Sequence, residues 1–187
     1  ACQEKGLRMA NWDLITRTRT GVGKTRGSCA LRNALAERDQ AVVGMKPVAA
    51  GCENGRWMDV ELLAAASSVT APREQMNPYA LIPPVAPHIA AHQTGVEIDI
   101  VTIRKALLEL QKIADLVIVE GIGGFLVPLN EDEDGHSMAQ ELDLPFIMVV
   151  GMQVGGLNHT VLTGPVVGAT GLPPRGGVAL RTGLPIL

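Results

Sequence analysis

Aromatic residues are scarce: Phe, Trp and Tyr together make up 3% of the chain. The interior must therefore be built from Ala, Val, Leu and Ile, which excludes an aromatic-rich β-sandwich and suits a parallel sheet covered by helices. Cysteine is equally sparse. Cys2, Cys29 and Cys52 are far apart and form no CxxC pair, which excludes a disulfide frame or a cysteine zinc site and fits reduced thiols in a cytoplasmic protein. No apolar run approaches the ~20 residues that cross a bilayer. The polar stretch Ala1 to Asp13 lacks the apolar segment of a secretory signal and is expected to be an irregular N-terminal extension. Nor is there a surplus of positive charge. A net charge of −3 offers no general attraction to nucleic acid or to an anionic membrane. Internal repeats and low-complexity segments are lacking too.

What is present is backbone punctuation and alternating structure. Twenty-one glycines and twelve prolines imply many tight connections, and 187 residues suit a single domain. Leu14 to Thr16 is apolar and runs into the glycine-rich segment Thr20-Gly-Val-Gly-Lys-Thr25. Residues 26 to 38 then carry apolar side chains at helical spacing. Ala41 to Met45 reads as a buried strand ending at Lys46-Pro47, Asp59 to Ser67 as a short helix, and His88 to His92 as another after a proline-broken loop. Ile98 to Ile113 is an amphipathic helix. Asp115 to Val119 and Phe146 to Val150 are apolar strands closing on Glu120 and Gly151. Continuous apolar strands alternating with helices predict an α/β fold: a doubly wound, mostly parallel sheet with helices on both faces. In such sheets the working residues lie just past the carboxyl ends of strands.

Gly23-Lys24-Thr25 is the strongest local signal. A glycine-rich turn feeding a helix surrounds phosphate with backbone N–H groups. Lys24 would neutralise the β- and γ-phosphates, and the Thr25 hydroxyl would hold Mg²⁺. Glu120 ends an apolar strand, where a charge demands a cation or hydrogen bonds. Asp59 opens a helix, a position that suits either an N-cap or a metal ligand. Thr25, Asp59 and Glu120 together form an oxygen-rich magnesium set. Lys46 suits either a solvated loop or the neutralisation of an anionic intermediate. His88 and His92 share a helical face, but Ile89 stands where a zinc-binding HExxH helix needs Glu. A capping or core role fits them better. Glu131-Asp-Glu-Asp134 lacks the alternating order of a calcium loop and reads as a solvated acidic loop.

Six segments, in order, resemble the dethiobiotin synthetase family. They are Thr20-Gly-Val-Gly-Lys-Thr25, Gly44-Met-Lys-Pro-Val-Ala49, Asn77-Pro-Tyr-Ala80, Ala86-Pro-His-Ile-Ala90, Val119-Glu-Gly-Ile-Gly-Gly124 and Gly155-Gly-Leu-Asn-His159. The resemblance implies a P-loop NTPase-like domain and an ATP-dependent ligase of biotin synthesis. Its substrates would be 7,8-diaminononanoate and CO₂, and the reaction would proceed through a carbamate and a carbamic-phosphoric anhydride. It implies that Lys24, Lys46 and Thr20 are catalytic. Gly21, Val22, Gly23, Lys24, Thr25, Glu120, Gly123 and Gly124 would bind nucleotide, and Thr25, Asp59 and Glu120 magnesium. Lys46, Ala50 and the run Gly155, Gly156, Leu157 and Asn158 would bind substrate, the last four across a homodimer interface.

Several positions depart from the family pattern. Arg17 stands where the family has glycine, so backbone strain is expected there. Arg19 replaces an aspartate and Ala50 a serine. Leu180 falls where an adenine-reading asparagine is expected, and the chain stops at Leu187, before a later adenine-contacting segment. Two other readings stay open: a dimeric ATPase switch of the partition type, in which Arg19 would reach a partner's phosphates, and a non-catalytic homologue of the synthetase.

Overall fold

The apolar runs become the strands of a parallel sheet. The structure, a computed structural model, describes residues 11–17, 40–152, 155–172 and 174–181. Its strands are β1 (Asn11–Arg17), β2 (Val42–Met45), β3 (Val48–Ala50), β4 (Tyr79–Leu81), β5 (Leu116–Glu120), β6 (Phe146–Met152) and β7 (Pro174–Arg181). The helices are α1 (Met58–Ala66), α2 (Arg73–Met76), α3 (Pro87–Thr94), α4 (Ile100–Leu110), α5 (Gly135–Leu142) and α6 (Gly156–Gly168). The main sheet has the order β2-β5-β1-β6-β7, every neighbouring pair parallel. β3 and β4 form a second, two-stranded parallel sheet. All residues of β2 and β5 are buried. Because successive side chains point to opposite faces, both faces of the sheet are covered there, as a doubly wound fold requires.

β2 lies at one edge of this sheet, and two serines satisfy its outer backbone groups. The Val42 N–H donates to Ser68 Oγ at 2.7 Å and the Gly44 N–H to Ser67 Oγ at 3.0 Å. An edge so occupied is a poor template for another strand.

Three sequence expectations need correction. β1 begins at Asn11, inside the stretch expected to be irregular, because Asn11 and Trp12 pair with Leu116 and Val117 of β5. Backbone pairing carries the strand beyond its apolar residues. Arg17, where strain was expected, is the last residue of that strand and pairs with Val149 of β6. Among the described residues, the non-glycine positions with positive φ are Asn54 and Asp143. Thirdly, Asp59 is not an N-cap, since Trp57 occupies that position and Asp59 sits in the first turn of α1.

The remaining helices follow local chemistry. α4 buries Ile100, Ile103, Leu107 and Leu110 along one face, and starts later than its apolar pattern because Asp99 caps it. The Asp99 carboxylate accepts from the N–H groups of Val101 at 2.9 Å and Thr102 at 3.1 Å. The acidic run 131–134 ends in a second cap, where Asp134 accepts from the Ser137 N–H at 2.9 Å and starts α5. The helix expected over residues 26 to 38 lies outside the described residues.

The Asp99 cap carries a pH signature. The Thr102 hydroxyl, then the Val101 N–H, hold its carboxyl below the ordinary aspartate range. A lowered folded-state value adds stability above the unfolded-state value, and that stability is lost as pH falls through the folded one. Asp99→Ala should therefore lower the melting temperature at neutral pH. The gap to the parent protein should close on acidification through and below the carboxylate range. Thermal melts across pH check this; a gap independent of pH would assign the loss to packing instead.

Candidate active site

Lys46 and Glu120 meet because their strands are parallel neighbours in matched register. Met45 of β2 pairs with Val119 of β5, so the next residue of each strand emerges at the same level. Lys46 Nζ donates to Glu120 Oε1 at 2.7 Å and to Asp59 Oδ2 at 3.1 Å, with the Gly121 carbonyl at 3.5 Å. Lys46 is 3% exposed and Glu120 fully buried, whereas the Asp59 side chain is 45% exposed. The solvated-loop reading of Lys46 is thus excluded.

The Lys46 main chain is clamped as firmly as its ammonium. Its N–H donates to the Met76 carbonyl at 2.7 Å, and its carbonyl accepts from Asn77 Nδ2 at 2.7 Å. Asn77 is itself buried and also donates to the Tyr79 carbonyl at 3.1 Å. From sequence Asn77 stands out only within the Asn77-Pro-Tyr-Ala80 segment and has no role of its own, although Asn-Pro is a recognisable turn signal. α1 supplies Asp59 from its first turn.

Two carboxylates share the Lys46 ammonium at the end of β2 and β5. The donors are hard oxygens, and half-exposed Asp59 opens toward solvent. That chemistry fits a divalent ion of the magnesium kind. Among the described residues no group of three or more His, Cys, Asp and Glu is arranged to hold a metal. The expected third donor, Thr25, lies outside the described residues, as do Thr20, Gly21, Val22, Gly23, Lys24 and Arg19.

Above Lys46 opens a cavity of about 610 Å³, lined at one charged end by Lys46 and Asp59, by the exposed Glu53, and elsewhere by Ala50, Gly123 and mostly apolar side chains. Gly123 has φ of +54°, and a Cβ there would stand 2.9 Å from Val127 Cγ2. Only glycine fits both conditions. A Cβ at Gly124 would meet no atom within 4 Å, and this glycine is not among the cavity residues. Nor are Gly155, Gly156, Leu157 and Asn158. They lie at the start of α6, with Gly155 left-handed at φ +82°, Gly156 buried, and Leu157 and Asn158 exposed. A larger cavity of about 750 Å³, between α3 and the 129–133 loop, contains His88 and His92 but none of the expected site residues.

The chain resembles known proteins on two levels. A family model described as an AAA domain matches residues 14–185. The ATP-dependent dethiobiotin synthetase BioD of Nitrosospira multiformis is 60% identical over 167 residues, which is 89% of this chain and 74% of that protein. Its counterpart from Aromatoleum aromaticum is 48% identical over 88% of this chain and 75% of its own length. Among solved structures, the kinase domain of the Escherichia coli tyrosine kinase ETK superposes with a TM-score of 0.57 at 15% identity, covering 95% of this chain and 71% of that one. The MinD cell division protein of Aquifex aeolicus gives 0.54 at 17% identity, covering 94% and 70%. At such identities the structural likeness establishes a P-loop α/β fold and nothing finer, so the partition-type switch gains no support from it. The sequence relatives decide the family: this chain belongs to the ATP-dependent dethiobiotin synthetases, a family of ligases.

Proposed function

We propose that this protein closes the ureido ring of dethiobiotin from 7,8-diaminononanoate, CO₂ and ATP in the cytoplasm. The observation that carries the reading is the buried Lys46 ammonium, held between Glu120 and Asp59 at one end of a largely apolar cavity. One substrate amine captures CO₂ as a carbamate. The carbamate oxygen attacks the γ-phosphorus of ATP, ADP leaves, and a carbamic-phosphoric anhydride remains. The second amine then attacks the carbonyl carbon and expels phosphate, closing the ring. Each step builds or moves negative charge on oxygen. A fixed ammonium lowers the barrier because it needs no reorientation when that charge develops.

In this reading Lys46 meets the carbamate and the transferring phosphoryl group. Lys24 and the Thr20 hydroxyl act from the glycine-rich segment, whose backbone from Gly21 to Thr25 cradles phosphate. Magnesium, held by Thr25, Asp59 and Glu120, would neutralise phosphate charge when bound. Gly123 and Gly124 offer backbone donors, and Ala50 borders the substrate.

The test is substrate-dependent ATP turnover. ADP should appear at an appreciable rate only when both the diamine and CO₂ are supplied. ADP release driven by a protein or surface partner, with no response to diamine, would replace this reading by the switch.

A homodimer completes the proposal. α6 presents Leu157, Val161 and Leu162 to solvent at 79%, 62% and 63% exposure. Apolar side chains so exposed along one helix suit a protein contact. A second copy seated there would bring Gly155 to Asn158 toward a neighbour's cavity. Leu162→Glu should give monomers by sedimentation and little ring closure. A monomer with full activity would refute the shared site.

A further inference from the structure

One residue of the Lys46 cavity is explained neither by local structure nor by the charge chemistry. Trp57 is the N-cap residue of α1, yet its side chain makes no capping hydrogen bond. Ser, Thr, Asp or Asn would serve the helix better there. Nor is the indole a core residue, because it is only partly buried and lines the cavity. It is nonetheless fixed. Nε1 donates to the Leu81 carbonyl at 2.8 Å, and the same carbonyl accepts from the Gly51 N–H at 3.1 Å. The backbone before it is tightened by a two-residue Asn54-Gly55 turn, both residues at positive φ, closed by reciprocal Glu53 and Arg56 hydrogen bonds. The indole is thereby tied to the end of the small β3–β4 sheet, beside Ala50, which pairs with Leu81.

The surroundings indicate what this anchored ring meets. Asp59, at the charged end, follows Trp57 by half a helical turn. Met58, Val85, Ile122 and Val127 extend the apolar wall from there. A ligand whose polar groups engage Lys46 can lay its remaining chain along these side chains. A ring held by its N–H loses little freedom on packing against such a chain.

We infer that Trp57 is a specificity-determining residue: its indole packs against the aliphatic chain of the amine substrate and makes the enzyme favour longer chains. This rests on the diamine reading above. In that reading the charged end handles the amines and says nothing about chain length; the indole wall reads the methylenes.

The test uses vicinal diamines bearing unbranched alkyl tails of increasing length, with ATP, magnesium and bicarbonate. In the parent protein KM should fall by up to about fourfold per added methylene. Trp57→Ala should flatten that dependence to under about twofold while kcat for the best substrate holds. Trp57→Phe keeps an aromatic wall and should retain most of the slope, with thermal melts confirming that both variants fold. An unchanged slope in folded Trp57→Ala overturns the assignment. If the parent protein turns over no diamine, the function proposed above fails separately, and binding is read from indole emission, with Trp12 the only other tryptophan. A tail-length-dependent emission change lost in Trp57→Phe supports the wall. No change in the parent protein overturns it.

Discussion

Replacing Lys46 with Met should lower ring-closing turnover by about two to three orders of magnitude, the loss seen when one preorganised donor to developing charge is removed. Met keeps most of the aliphatic stem, so the change isolates the ammonium. KM for ATP should move much less, because the charge Lys46 meets grows mainly in the transition state. The same variant should also be destabilised. Glu120 is fully buried and loses an ammonium at 2.7 Å, and breaking a buried ion pair by removing one member costs about 3 to 5 kcal/mol. The contact with Asp59 adds little, since that side chain is 45% exposed and screened by solvent. These two effects separate in a double variant. Lys46→Met with Glu120→Gln removes both charges and should recover much of the melting temperature without recovering turnover. Near-normal turnover in Lys46→Met would remove Lys46 from the catalytic machinery, whatever happened to stability.

Glu120→Gln alone should raise the magnesium concentration needed for half-maximal turnover by more than about tenfold, since even residues that only support metal ligands cost 10- to 100-fold in affinity. Gln preserves shape and keeps an oxygen that accepts from Lys46, so the protein should still fold but with a lowered melting temperature, and the titrations are run below it. Asp59→Asn should act in the same direction but more weakly, because its carboxylate is half-exposed and partly screened. The order, Glu120 above Asp59, follows from burial alone. Magnesium titrations of turnover and of nucleotide binding check it. An unchanged magnesium requirement in Glu120→Gln would leave Glu120 as a structural partner of Lys46 only.

The α/β class and most of the main sheet were legible because continuous aliphatic runs such as 116–119 and 146–150 have one stable use, as strands covered on both faces. Lys46 and Glu120 were legible for a related reason: a charge directly after such a strand sits where ligands bind in these folds. β3 and β4 were missed because each has three residues, too few to show a period. The N-cap role of Asp134 was hidden in a run of like charges, where composition argues for solvent and only geometry picks out the residue that caps α5.

Sequence by itself determined the kind of fold, the family and the residues carrying charge, because strand burial, helix caps and motif order are local and leave their mark along the chain. Tertiary structure alone decided how those charges combine. Lys46 and Glu120 are 74 positions apart, and nothing in either segment specifies that β2 and β5 are neighbours with Met45 opposite Val119. That register sets the ammonium 2.7 Å from a buried carboxylate. It also turns a lysine that read equally well as solvated into the best-anchored cation among the described residues. Trp57 belongs with it: a tryptophan before a helix is unremarkable in sequence, and becomes a wall only because β3, β4 and α1 enclose the same cavity.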